Sequence, residues 1–216
     1  MQSTLPMRKL EPVEIDPEVL RTNLHELETL LGAGDMLTER KHILPFFQAR
    51  PQIIAALGFN NGDVSQPDVY ATELDLFGDF VCDAASGDST EGAFTLIEFE
   101  DAKPNSIFRA RESGKSMRAW SPRFEHGFSQ LVDWAWRIDA ENSSAALQRV
   151  FGMAPLSIQF LLVAGRRTDL TDGDLRRLTW RAHNLRLGPF NMVCRTFDHV
   201  LSTIRRRLNA VMPQAY

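Results

Sequence analysis

The 216 residues, 44% of them hydrophobic, suffice for one α/β-sized domain with a small N-terminal appendage. No run approaches the ~20 apolar residues of a transmembrane helix, and the Lys and Arg near Met1 have no apolar stretch behind them, so the chain reads as soluble, cytoplasmic and without a signal peptide. The net charge of −4 hides a division, because residues 1–102 hold 6 Lys and Arg against 19 Asp and Glu, while residues 103–216 hold 18 against 9. A basic half suits a polyanion such as DNA, and an acidic half suits a metal ion or a basic protein partner. Cys82 and Cys194 lie far apart with no CxxC or zinc spacing, and read as small buried hydrophobes.

Residues 1–14 contain prolines and lack periodicity, which predicts a loose arm before a domain over 15–212. Asp16 then reads as an N-cap with Pro17 at the first helical position. Leu20, Leu24, Leu27 and Leu31 follow at helical spacing, and Gly32 and Gly34 stop the helix. Thr38 suits the cap of a second helix, interrupted near Pro45 and ended by Pro51. From Pro67 the period changes to two, predicting strands over 69–76, 78–83 and 93–100. The polar cluster AASGDSTEG over 84–92 predicts the turn of an antiparallel hairpin between the second and third of these. An irregular Lys- and Arg-bearing stretch over 101–122 precedes a helix with Phe124, Phe128, Leu131, Ala135 and Ile138 on one face. The apolar run 156–164 reads as a buried strand, 169–184 as a helix, 191–196 as a last strand and 198–208 as a closing helix. This order predicts an α/β domain with a mixed sheet flanked by helices.

Within the hairpin, Asp79 opens one strand in the triplet GDF, and LIEFE puts Glu98 and Glu100 on one face of the next. A turn centred between Asp88 and Ser89 sets Asp79 opposite Glu98. Directly opposed like charges destabilise a sheet. A hard divalent cation on carboxylate oxygens offsets that repulsion, with the backbone carbonyl of Phe99 as a further ligand. Such an ion activates water and stabilises charge on a phosphate oxygen. The competing reading is that these acids stand at solvated strand ends, paired with arginines of the basic half. On the later helix, His126, Gln130, Asp133 and Arg137 make a polar stripe beside the apolar face, where Gln130 could orient water or a phosphate. Basic residues after 102, including Lys103, Arg109, Arg111 and Lys115, are candidates for nucleic-acid contacts.

Taken in order, GDF, an E-x-E closing the next strand, and a helix bearing Gln130 resemble the core of the PD-(D/E)XK nucleases. More narrowly, Glu39 with FFQARP (46–51), LIEFE, FSQLVDW (128–134) and VCRTFDHVL (193–201) resemble the Shedu-type anti-phage nucleases, over roughly residues 24–208. The resemblance implies a restriction-endonuclease-like fold, Mg²⁺-dependent cleavage of DNA and homo-oligomers. It also implies metal ligation by Asp79 and Glu98, an active-site role for Gln130, and Glu39 as an acid contributed by the first helices. One position departs from the pattern: E-x-K ends in lysine, and this chain has Glu100. With a carboxylate where a cation is usual, Glu100 is a ligand or a general base, or the chain is an inactive nucleic-acid-binding or regulatory module of the same fold. Lys103, three residues on, could lend its ammonium if its loop folds back.

Overall fold

In the computed structural model, which describes residues 9–141 and 144–211, the period-two segments assemble into one six-stranded sheet. Its strands are β1 (Glu11–Pro12), β2 (Val69–Leu76), β3 (Phe80–Asp88), β4 (Ala93–Phe99), β5 (Ser157–Val163) and β6 (Asn191–Arg195), lying side by side in chain order. The first four form an antiparallel meander, and β4, β5 and β6 run parallel. The result is an open mixed sheet flanked by helices, the architecture expected from the sequence. Residues 11–12, expected within a loose arm, pair with Tyr70 and Val69 instead; residues 1–8 lie outside the described residues.

Helices cover both faces. On one lie α1 (Pro17–Gly32), α2 (Leu44–Gln48), α3 (Pro51–Leu57) and α7 (Phe197–Val211). They share a core with Ala84, Ile97, Phe99, Leu161 and Val163. On the other lie α4 (Pro122–Glu141), α5 (Ser144–Phe151) and α6 (Asp172–Asn184), packed on Leu74, Cys82, Phe94, Leu96, Phe160 and Leu162. At α1 the local signals act as expected, whereas the Thr38 side chain, expected as a cap, meets the His42 ring and caps no backbone N–H. Asp16 accepts hydrogen bonds from the N–H groups of Glu18 (2.8 Å) and Val19 (3.2 Å), satisfying donors that a helix start leaves open. Thr171 and Asp174 form a reciprocal capping box at α6. No helix among the described residues is long and apolar enough to cross a membrane.

The hairpin β3–β4 differs from expectation in a way that decides the site. Its ladder pairs Ala84 with Ile97, Ala85 with Leu96 and Asp88 with Ala93, so its turn is Ser89–Gly92. The small residues 84–87 are strand, not turn, because bulky neighbours leave no room. A side chain on Gly87 would meet the Phe94 ring at 2.4 Å, and Ser86 donates its hydroxyl to the Ala55 carbonyl at 2.6 Å. Asp88, 2% exposed, closes the turn by accepting from the N–H groups of Thr90 and Glu91, both at 3.1 Å. The turn centre therefore lies two residues later than the sequence suggests, and each partner on β3 moves by four. An even shift keeps the face and changes the residue.

Candidate active site

Continuing the ladder one step past Ala84–Ile97 brings Asp83, not Asp79, opposite Glu98. This corrects the sequence expectation: Asp79 sits in the β2–β3 turn, its carboxylate on the Arg137 guanidinium at 2.6 Å, and takes no part in the acidic group. Asp83 accepts a hydrogen bond from the backbone N–H of Phe99 at 2.8 Å and shares one with the Glu98 carboxyl. The sheet is also irregular here. Across from Asp83, between the pairs Thr72–Ala84 and Leu74–Cys82, Glu73 adopts a positive φ of 54°. Ala71 and Leu74, three apart, consequently face one core, as do Cys82 and Ala85. Local breaks of this kind re-aim side chains and concentrate near functional sites.

Glu98 and Glu100, 5% and 1% exposed, point to the α4 side of the sheet. Glu100 extends the ladder, its N–H on the Val163 carbonyl at 2.9 Å. Helix α4 comes unusually close because residue 127 is glycine. An added Cβ there would lie 2.8 Å from Leu162 Cδ1 and 3.0 Å from Glu100 Cγ. Four residues earlier on the same helix face, Arg123 sets its Nε 2.8 Å from Glu100 and 3.7 Å from Asp101, and its Nη2 on Glu39. Glu39 opens a π-helical turn (Glu39–Ile43), held in place where its N–H donates to Asp101 at 2.8 Å. Gln130 lies one turn past Gly127 on this face, and its buried Oε1 has no hydrogen-bond partner among the described residues.

Five carboxyls thus gather in one group, and three of them, Glu39, Glu100 and Asp101, meet the Arg123 guanidinium. Burial, then the like charges of Asp83, Glu100 and Glu39, hold the Glu98 carboxyl far above its ordinary range. Burial also raises Asp83, so this hydrogen-bonded pair retains a proton near neutrality. Glu100 is pushed up to about 8, burial outweighing the opposing pull of Arg123. Asp101 goes the other way. Burial acts on it too, but Lys103 at 2.7 Å, the Glu39 N–H and Arg123 outweigh it and hold the carboxyl low. Raised carboxyls bind protons more tightly folded than unfolded, so they oppose folding progressively once pH exceeds the unfolded value of 4.5. In chelator, Glu98→Gln should therefore gain melting temperature relative to wild type as pH rises from 5.5 to 8.5. Parallel pH curves for the two proteins would contradict this electrostatic account.

The donor set is all carboxylate, suited to a hard divalent cation. Glu98 Oε2 and Glu100 Oε1 are buried without a hydrogen-bond partner among the described residues, and Glu100 Oε2 meets the Arg123 guanidinium, which fits a ligand that accepts lone pairs. As placed, however, no three His, Cys, Asp or Glu side chains among the described residues are arranged to hold a metal ion. Arg123 draws Glu39 and Glu100 toward itself, while Asp83 and Glu98 bond to one another. Of the remaining expected residues, Lys103 alone reaches the group, through Asp101. Lys115 is bound to Glu112. Arg109 and Arg111 are exposed on the loop that the Phe108–Trp120 bridge closes, and His126 and Asp133 are exposed on α4.

The family model described as "Shedu protein SduA, C-terminal" matches residues 37–201. The chain belongs to the Shedu family. The matched span runs from just before the π-helical turn that carries Glu39 into α7, and so contains every residue of the acidic group. Membership links this Shedu chain to anti-phage defence. No curated protein matches it. Asp83 and Asp101 escaped the sequence reading, and Arg123 entered it only among the arginines after 102. Asp83 was hidden by the misplaced turn. Arg123 stood one helical turn before Gly127, a glycine inside an amphipathic helix, which is itself a signal of close approach.

Proposed function

We propose that this Shedu chain is a metal-dependent endodeoxyribonuclease, with the acidic group on β3 and β4 as its catalytic centre. The observation that carries the reading is the Glu98 carboxyl: buried, opposed to Asp83, and left with an oxygen that no described residue satisfies. Asp83 and Glu98 would hold Mg²⁺ or Mn²⁺ together with the Phe99 carbonyl, and Glu39 or Glu100 would complete the oxygen set. When bound, the ion would supply Lewis-acid stabilisation and lower the pKa of a water. The chain's own residues supply the rest. Glu100, held near neutrality by burial, suits a general base. Arg123 brings to Glu100 the positive charge that lysine provides in E-x-K, and can turn to a phosphate oxygen once a cation takes over its carboxylates. Gln130 offers an unsatisfied amide oxygen for orienting water.

The pairing of Glu100 with Arg123 also favours a second reading, an inactive DNA-binding module whose acids are neutralised from within. Titration with Mn²⁺ in a calorimeter and incubation with plasmid and linear DNA in Mg²⁺, Mn²⁺ or chelator separate the two. The nuclease reading expects saturable binding that raises the melting temperature, absent in Glu98→Gln, and cleavage that chelator stops. Metal binding without cleavage in any metal would leave the second reading. No metal binding at all would refute the first.

A further inference from the structure

Arginines withdrawn from water are ordinarily paired with carboxylates, because an uncompensated buried charge is costly. At the C-terminal end of β6 this pairing is missing. Arg195 ends the strand and is partly buried. The one hydrogen bond of its guanidinium among the described residues is a long contact from Nη1 to the carbonyl of its neighbour Cys194, at 3.4 Å. Helix α7 starts two residues later, and His199, Thr203 and Arg206 follow at steps of four and three, hence along one face. Arg206 and His199 are exposed there, and the Arg206 guanidinium reaches only Thr203 Oγ1, at 3.4 Å.

No described carboxylate forms an ion pair with any of the three. The acids nearby are engaged elsewhere: Glu28 holds Arg205 at 3.0 Å, and Asp198 holds Arg166 at 3.0 Å and the Arg167 N–H at 2.6 Å. Consistently, partial desolvation and then Arg195 and Arg206 push the His199 imidazole below its ordinary range, and desolvation does the same to Arg195. The start of α7 adds the partial positive charge of a helix N-terminus beside them.

We propose that Arg195, His199 and Arg206 form a phosphate-binding site. Two guanidiniums and an imidazole, Arg195 just before α7 and the other two along one face of it, match the several acceptor oxygens of a phosphate, which guanidinium forks engage through paired N–H groups. The site is separate from the acidic group and does not depend on its role. Phe99, Val163 and Arg195 stand in one row across the sheet. With strands about 4.8 Å apart, Arg195 begins about 10 Å from β4. Phe99 and Val163 belong to the core shared with α7, whereas Glu98 and Glu100 point to the other face.

The test is a titration of the isotope-labelled chain with inorganic phosphate, following the His199 imidazole and arginine side-chain resonances. Saturable shifts at His199 are expected in the wild type, with the dissociation constant raised at least about tenfold in Arg195→Gln and in the exposed variant Arg206→Gln, the loss typical of one charge-assisted bond. A second arm measures binding of a short DNA duplex across a salt series. If the phosphate belongs to a polynucleotide backbone, the double variant lowers the salt slope by about two. An unchanged slope with weakened inorganic phosphate binding assigns the site to a small phosphate compound. Linear shifts that never saturate, or equal affinity in wild type and both variants, overturn the proposal.

Discussion

Asp83→Asn should lower metal-dependent DNA cleavage by at least about a hundredfold, since even outer-shell partners of a metal are worth 10–100-fold and Asp83 is read as a direct ligand. Asp79→Asn should leave cleavage unchanged. The two aspartates lie four residues apart on one hairpin, and a turn centred between Asp88 and Ser89 assigns the chemistry to the wrong one. The observed ladder puts Asp83 across from Glu98, with its other partner the Phe99 N–H at 2.8 Å. Asp79 instead makes an ion pair with Arg137 at a solvent-facing turn, where water and salt screen the attraction. Asn at 83 preserves size and the hydrogen bond from Phe99 while removing the charge, so loss of folding does not confound the result. The measurement is the cleavage rate of supercoiled plasmid at saturating Mg²⁺, with melting temperatures recorded in parallel. Equal losses in both variants, or a loss confined to Asp79→Asn, would place the centre elsewhere.

The largest effect on stability is expected at Arg118, outside the site. Its guanidinium is 9% exposed and serves three segments at once. Nε donates to the Arg109 carbonyl at 2.8 Å, Nη1 to the Asp169 carbonyl at 2.8 Å and to Asp174 at 3.3 Å. Nη2 donates to Asn105 at 2.9 Å, to the Phe108 carbonyl at 3.1 Å and to the Asp169 carboxylate at 3.3 Å. Removing it takes a donor from the buried Phe108 carbonyl and leaves Asp174, the acid of the α6 capping box, without its cation. Breaking a buried pair from one side costs about 3–5 kcal/mol. Denaturant unfolding of Arg118→Ala should show a loss in that range. Arg118→Lys should recover only a part of it, because one ammonium cannot reproduce a planar fork. Arg111→Ala, on the exposed part of the same loop, should change stability by less than about 0.5 kcal/mol. An Arg118→Ala loss no larger than that would show that the loop is held by other means.

Much of the architecture was legible because it rests on local physics. The cap and proline at Asp16 and Pro17, the leucines of α1 and the apolar stripe of α4 each specify a helix and the face it buries. The i, i+2 spacing of Glu98 and Glu100 correctly put both on one face of a strand. What was not legible depended on contacts remote in sequence. Ala84 to Gly87 look like turn residues, and only the Phe94 ring and the Ala55 carbonyl make them strand. Arg123 reaches Glu100 only because α4 crosses the sheet at Gly127. The π-helical turn that begins at Glu39 is set by its N–H bond to Asp101, 62 residues away.

β4 carries a consequence for how the acidic group comes and goes. All seven of its residues are buried, with a neighbouring strand on either side. Phe94 and Leu96 enter one core, Ile97 and Phe99 the other. Fraying that begins at β1 or at an outer helix leaves this strand untouched, and opening it disrupts both cores together. The carboxyls therefore assemble and disperse in one cooperative event with the domain. A half-folded or clipped chain would carry their sequence but not their geometry, so any hydrolytic capacity is confined to molecules that have folded completely.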